Sequence, residues 1–373
     1  MNHYDVIIVG TGSMGISTAA YLGKAGIKVL ALDPHSGPHD FGSHSGKTRI
    51  IRQSYFEHPS YVPLLLRSYE LWNELELQTN TRSEVYHQTG LIYMGPESSK
   101  VIQGINESAI TYHLALKEVK QTHFTIPTDW KVYYEEKAGF IDVHKTFQSY
   151  FAIFNKKYVD YKNEKLLSWQ KNDGSIRITT NQQEYTSDKI IFTSGAWTAE
   201  LLKEYNLPLQ VTKQTIAWLD IAHTEQYNEG NFPCWFISDP AKGMYYGFPI
   251  PNGKENGLKL ALHEPGKLID PGKKDPTVSP REIEDISYCL KEYLPNIQVS
   301  RIQYETCLYT YSPDEHFIID YLPDSGEKIM VACGFSGHGF KFVPVIGEIL
   351  TNMVTGRPNV LGIDFLKMDR FGR

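Results

Sequence analysis

Residues 4–33 read YDVIIVGTGSMGISTAAYLGKAGIKVLALD, and this succession of apolar run, glycine turn, helix and second apolar run decides the fold. Val6 to Val9 are continuously apolar, as expected of a central parallel strand covered on both faces. Gly10, Gly12 and Gly15 follow as G-x-G-x-x-G, where a tight turn and the approach of a pyrophosphate leave no room for a β-carbon. The helix that starts there offers unpaired N–H groups and the positive end of its dipole to an anion. Met14, Ile16, Ala19, Ala20 and Leu22 give it an apolar face, and Gly26 is placed to stop it. Val29 to Leu32 restore the strand pattern. Asp33 lies 18 residues beyond Gly15, near the roughly 20 expected of an acid that accepts from ribose hydroxyls. Its charge repels a 2′-phosphate, which argues against NADP. A glycine turn alone can open an ordinary helix; the strand before it and the acid after it make it a dinucleotide site.

The length of 373 residues suits two domains of ordinary size. A formal charge of −6 and the lack of a dense basic run argue against nucleic-acid partners. No stretch approaches the roughly 18 uncharged apolar residues of a membrane span. The first strand begins so early that no signal peptide is expected, and a cytoplasmic location follows. Cys234, Cys289, Cys307 and Cys333 have no C-x-x-C spacing, so neither a metal site nor a disulfide framework is expected.

Residues 34–42 carry Pro34, Ser36, Gly37, Pro38 and Gly42 and read as a loop. Helical spacing returns over residues 61–75, a hairpin turning near Gly90 is expected over 84–94, and a further helix over 143–158. Strands are expected at 176–180, after an Asp173-Gly174 turn, and at 189–193. Residues 190–197, IIFTSGAW, run from strand through glycine into helix, and a second such element can return to the same cofactor. Residues 207–311 change to short strands with polar breaks and one helix at 280–294, which suggests an antiparallel substrate domain. Strands at 316–320 and 328–333 and a helix at 343–355 close the chain, with GFSGHGFK before the helix.

The expected fold is therefore α/β. A Rossmann-like domain is assembled from 1–83, 141–206 and 312–373, and a mainly antiparallel substrate-binding domain from 84–140 and 207–311. Contiguous βαβ units are usual for NAD, whereas a glycine-rich C-terminal turn returning to the N-terminal motif suits a longer ligand such as FAD.

Residues 42–52, GSHSGKTRIIR, place three cations and several hydroxyls, Ser43 and Thr48 among them, behind the nucleotide motif. Alone they read as a solvated basic loop; as a helical turn, Arg49 and Arg52 at i, i+3 would share one face and flank an anion. Tyr246 sits in YYGFP, an aromatic strand. Lys259 and His263 point the same way if they lie on a strand. Lys341 follows Gly337 and Gly339, glycines that let backbone approach a ligand. Cys307 reads ordinarily as a small buried hydrophobe.

Taken together, GTGSMG with Asp33, GSHSGKTRIIR, SGAW, YYGFP, LKLALH, ETCLYT, DEHFIID and GFSGHGFKF stand in the order seen in one family. The chain resembles the monomeric sarcosine oxidase and N-methyltryptophan oxidase family of FAD-dependent amine oxidases. The resemblance implies FAD held by an 8α-thioether to Cys307, and oxidation by O2 of an N-methyl amino acid to an imine. Hydrolysis of the imine gives formaldehyde, with hydrogen peroxide as the other product. It further implies that Arg52 and Lys341 hold the substrate carboxylate and that Lys259 lies where oxygen reacts. His263, Tyr246, Arg49 and Tyr309 line the same cavity, and the enzyme acts as a monomer. Two positions depart from the family pattern: Ser45 stands for a second histidine and Lys47 for an acid. The first bears on rate and pH profile, the second on flavin attachment or loop packing.

The chemistry agrees. An N-methyl amine with a pKa of about 10 must lose its proton before its lone pair assists oxidation, at about 1.36 kcal/mol per unit. Cations around the amine offset that cost, and two cations on one carboxylate fix the methyl group in place. The residues leave open oxidation of a cyclic imino acid or another amine, a dehydrogenase with an acceptor other than O2, and a flavin protein without catalysis.

Overall fold

The computed structural model describes residues 2–120, 123–172, 174–252, 257–273 and 275–372. The opening motif folds as a strand Asn2–Val9, a helix Ser13–Lys24 and a strand Val29–Leu32. The strands pair in parallel from Val6 beside Val29 to Val9 beside Leu32, and all eight of these residues are buried. Gly26 takes φ +80° just after the helix, a conformation that costs glycine little. Val159–Lys162 lies parallel to Val29–Leu32, Glu184–Phe192 to Asn2–Val9, and Ile329–Cys333 to Glu184–Phe192. Antiparallel strands Leu166–Lys171, Ile176–Thr180 and Ile318–Tyr321 complete this sheet. The helix Val343–Thr355 packs on Ser13–Lys24 so closely that a β-carbon on Gly347 would come within 2.3 Å of Ser17 Oγ. That contact returns the end of the chain to its beginning.

A second sheet runs Val299–Tyr311, Gln210–Ile221, Leu258–Leu262, Gly243–Phe248, Cys234–Asp239, Leu91–Gly95, Lys131–Glu135, Leu116–Glu118. Its pairs are antiparallel except Cys234–Asp239 with Leu91–Gly95. In a small third sheet, Thr48–Ile51 and Tyr86–His87 flank Gly139–Asp142. The α/β class with a mainly antiparallel second sheet is thus observed.

Several local expectations change. Residues 84–94 form no hairpin: Tyr86–His87 joins the third sheet and Leu91–Gly95 the second. Every residue of Leu91–Gly95 is buried, and a strand of that kind needs covered faces and a neighbour on each edge. Gly90, at φ +73°, turns the chain from one sheet to the other. Residues 48–51 form a strand rather than a helical turn, because β-branched Ile50 and Ile51 pair with Gly139–Asp142. The helix Val143–Ala152 ends six residues early, and the long strands Gln210–Ile221 and Val299–Tyr311 replace the short ones expected there. Asp173 of the expected turn lies outside the described residues; Gly174 has φ +85°.

Candidate active site

Where Asn2–Val9 ends, Gly10 turns with φ +91°, and a β-carbon there would meet Ser194 Cα at 2.6 Å. Thr193 Oγ1 donates to the Gly10 carbonyl at 2.5 Å, so SGAW returns to the first glycine turn. A β-carbon on Gly15 would lie 2.1 Å from the same carbonyl oxygen; Gly15 serves helix-on-strand packing. Gly12 caps the helix with no side-chain hydrogen bond, which leaves its first N–H groups available to an anion. Beyond this turn opens a cavity of about 980 Å³. Gly10, Gly12, Asp33 and Ser43 line it together with Arg49, Tyr309, Gly337 and Gly339, and Arg49 Nη2 donates to the Ser43 carbonyl at 2.9 Å. Asp33 is pinned by the N–H groups of Thr11 and His35, both at 3.0 Å, with His39 Nε2 3.4 Å away.

A smaller cavity of about 50 Å³ shares Arg49, Tyr309, Gly337 and Phe340 with the larger one. Lys259 and His263 reach it from one strand and its end, as their spacing predicts, and Tyr246, Cys307 and Thr48 also line it. Four cations face inward, Arg49, Arg52, Lys259 and Lys341, against one carboxylate among the described lining residues, Glu57. Although Thr48–Ile51 is a strand, Arg52 lies past its end and so reaches the cavity that Arg49 lines.

Arg52 is 1% exposed, and its Nη2 donates to both Glu57 oxygens at 2.6 Å while Nη1 donates to the Ser54 carbonyl at 2.9 Å. Its buried Nε has no partner among the described residues. Burial pushes the Glu57 carboxyl up, but Arg52, His338 and Lys341 outweigh it and bring it to about 2. Lys341 Nζ donates to the His338 carbonyl at 2.7 Å; burial and Arg52 lower it to about 7 against the pull of Glu57. Lys259 Nζ donates to the Thr48 carbonyl at 3.0 Å, and burial followed by Arg49 holds it well below an ordinary lysine. His263 is lowered to about 4, first by burial, with Lys341 and Arg52 adding to it and Glu57 opposing.

Cys307 is raised, because burial outweighs the opposing pull of Arg49 and Lys259. The thiol therefore feels two cations, yet those cations alone do not make it a thiolate. Sequence reasoning missed Glu57, Tyr55 and His338. Glu57 is only five residues from Arg52 and was open to a charge-pairing argument; His338 lay inside GFSGHGFK with nothing to mark its ring.

A family model described as FAD dependent oxidoreductase matches residues 5–353. The chain is 33% identical over 359 residues to a monomeric sarcosine oxidase of Streptomyces avermitilis, covering 94% of this chain and 93% of that protein. It is 32% identical over 380 residues to an N-methyl-L-tryptophan oxidase of Yersinia pestis, covering 99% of both. The chain belongs to this family of FAD-dependent oxidoreductases. The solved structure of NikD, an unusual amino acid oxidase, superposes with a TM-score of 0.84 at 22% identity over 98% of each chain, a likeness of fold.

The residues present fit the family's FAD. The glycine turn leaves backbone where β-carbons would obstruct, the helix start lacks a side-chain cap, and the long cavity ends against the cation-lined one. Among the described residues no cluster of metal-binding side chains occurs, and no helix is long and apolar enough to cross a membrane.

Two histidines of the site, His338 buried and His263 partly buried, make stability pH-dependent. His263 is lowered to about 4 and His338 to about 3 from an ordinary 6.5, so both are neutral in the folded state and charge on unfolding. Their contribution is full above pH 6.5 and is lost as pH falls through those lower values. Denaturant unfolding of His263→Asn between about pH 6.5 and 4 should lose up to about 1.36 kcal/mol per pH unit less than the parent. Parallel stability curves for the two proteins would remove His263 from this account.

Proposed function

We propose that this protein is an FAD-dependent oxidase of a small N-methyl amino acid, using O2 and releasing the demethylated amino acid, formaldehyde and hydrogen peroxide. The observation that carries the reading is the small cavity lined by Arg49, Arg52, Lys259 and Lys341, which shares a wall with the long glycine-floored cavity. The names of the Streptomyces and Yersinia relatives support the substrate class. The strands of the first sheet support assigning FAD to 1–83, 141–206 and 312–373, and those of the second support assigning the substrate to 84–140 and 207–311.

In this reading Arg52 and Lys341 hold the substrate carboxylate, the unpartnered Arg52 Nε supplying one donor. The surrounding cations disfavour the substrate ammonium, so the amine binds or becomes neutral. His263, neutral at pH 7, and Tyr246 and Tyr309, both with raised pKa values, line the cavity without adding charge. Bound FAD supplies the two-electron acceptor. The small cavity, about 50 Å³ and sharing four lining residues with the larger one, holds three to five water-sized groups at roughly 10–15 Å³ each, which favours a small substrate such as sarcosine over one carrying an indole.

Anaerobic mixing should therefore bleach the flavin with sarcosine, and far more slowly with N-methyl-L-tryptophan or with a methylamine lacking the carboxylate. Readmitted air should give peroxide. Arg52→Gln or Lys341→Met should weaken sarcosine binding about ten- to a hundredfold, since a charge-assisted hydrogen bond contributes roughly 1.5 to 3 kcal/mol. An amine without carboxylate reduced as fast as sarcosine would refute the carboxylate assignment, and bleaching without peroxide would make the enzyme a dehydrogenase.

Lys259 is assigned to the oxygen reaction: burial lowers its proton affinity, but negative charge that develops beside it as O2 is reduced favours its ammonium form, which stabilises that charge. Lys259→Met should slow reoxidation much more than anaerobic reduction; equal losses in both would end that assignment. The flavin is proposed to be covalently held by Cys307. After acid precipitation the yellow colour should stay in the protein pellet, and Cys307→Ala should release it. Colour found wholly in the supernatant of the parent protein would show that no such bond forms.

A further inference from the structure

Tyr55 has no part in the reading above, yet its ring lies beneath both cations that the reading gives to the substrate carboxylate. The ring is fully buried, with the Arg52 guanidinium carbon 4.1 Å and Lys341 Nζ 5.4 Å from its centroid. Both lie within the roughly 6 Å over which a ring face attracts a cation. The hydroxyl meets His338 Nδ1 at 2.5 Å, and His338 Nε2 meets the Glu315 carbonyl at 3.0 Å. A carbonyl only accepts, so Nε2 carries the proton, Nδ1 accepts, and Tyr55 donates. The carbonyl of the same histidine accepts from Lys341 Nζ at 2.7 Å. One residue thus holds the hydroxyl of the ring and the ammonium beside it. Ser108 Oγ donates to the Tyr55 carbonyl at 2.5 Å, and the Tyr61 and Phe342 rings pack on the platform at 5.2 and 5.5 Å, Phe342 also lying 5.8 Å from Lys341 Nζ.

We propose that Tyr55, locked by His338, is a positioning residue whose ring face holds Arg52 and Lys341 together for one substrate carboxylate. The inference rests on the reading that these two cations bind that carboxylate. Its physical basis is a problem of charge. Two buried cations repel, and Glu57 already neutralises one of them. A second acid would relieve the repulsion but leave no positive charge for the substrate. An aromatic face attracts both cations and adds no net charge. The groups facing Lys341 are Arg49, Arg52 and Glu57 from one side, His263 from the second sheet, and His338 on its own loop.

The test is calorimetric binding of propionate, a carboxylate that cannot be oxidised as an amine, to the purified holoenzyme across pH. Anion binding needs the Lys341 ammonium, so in the parent it should be full below about pH 7 and fall as pH rises through that value. Tyr55→Leu should weaken binding about tenfold, the scale of a lost cation–ring contact, and move the fall to lower pH, because the ammonium loses a stabilising partner. Tyr55→Phe, which keeps the ring, should retain most of the affinity. Should Tyr55→Leu not fold, pentafluorophenylalanine in place of Tyr55 keeps the shape, reverses the ring's charge distribution, and should weaken binding likewise. Parent-like affinity in these ring variants, weakening with an unmoved pH fall, or Tyr55→Phe as weak as Tyr55→Leu would each overturn the proposal. Propionate binding indifferent to Arg52→Gln and Lys341→Met would instead overturn the carboxylate reading, and this inference with it.

Discussion

Burying like charge is the constraint on which the site depends. Four cationic side chains face one small cavity, and the described lining residues offset them with a single carboxylate. Isolated buried charges either find partners or give up their charge. Arg52, which does not deprotonate at accessible pH, takes Glu57. Lys259 and Lys341 respond instead by a lowered proton affinity, and the histidines nearby are held neutral. The cavity that results is short of negative charge, a state that a bound carboxylate relieves.

The fold makes this arrangement possible by bringing remote segments to one place. Arg49 comes from the short third sheet and Arg52 from just beyond its strand, Lys259 from the second sheet and His263 from just past the same strand, and Lys341 from the 3-10 turn Phe340–Phe342 before the last helix. The last helix reaches the first through the Gly347–Ser17 contact, and Trp72 Nε1 donates to the Lys341 carbonyl at 3.0 Å. The position of Lys341 therefore depends on helix packing far from the chemistry.

Much of this was legible beforehand. The strand, turn, helix and acid of residues 4–33 follow from local rules: burial on both faces selects the apolar run, and backbone approach selects glycine. Lys259 and His263 share a cavity because alternate residues of a strand share a face. Arg49 and Arg52 line one cavity, but not through the helical turn their i, i+3 spacing allows, because residues 48–51 pair as a strand with Gly139–Asp142. The hairpin expected around Gly90 failed because Leu91–Gly95 finds better burial between two distant strands than with its sequence neighbour.

The sequence by itself determined the nucleotide motif, the α/β class and the cationic character of the site, because these follow from residue type and short-range spacing. Only the tertiary structure decided which charges meet. That Arg52 turns onto Glu57, that Cys307 lines the same cavity as Arg49 and Lys259, and that Tyr55 touches His338 across 283 positions are matters of packing. Electrostatic energies depend on distance and burial, and neither is encoded in the order of residues along the chain.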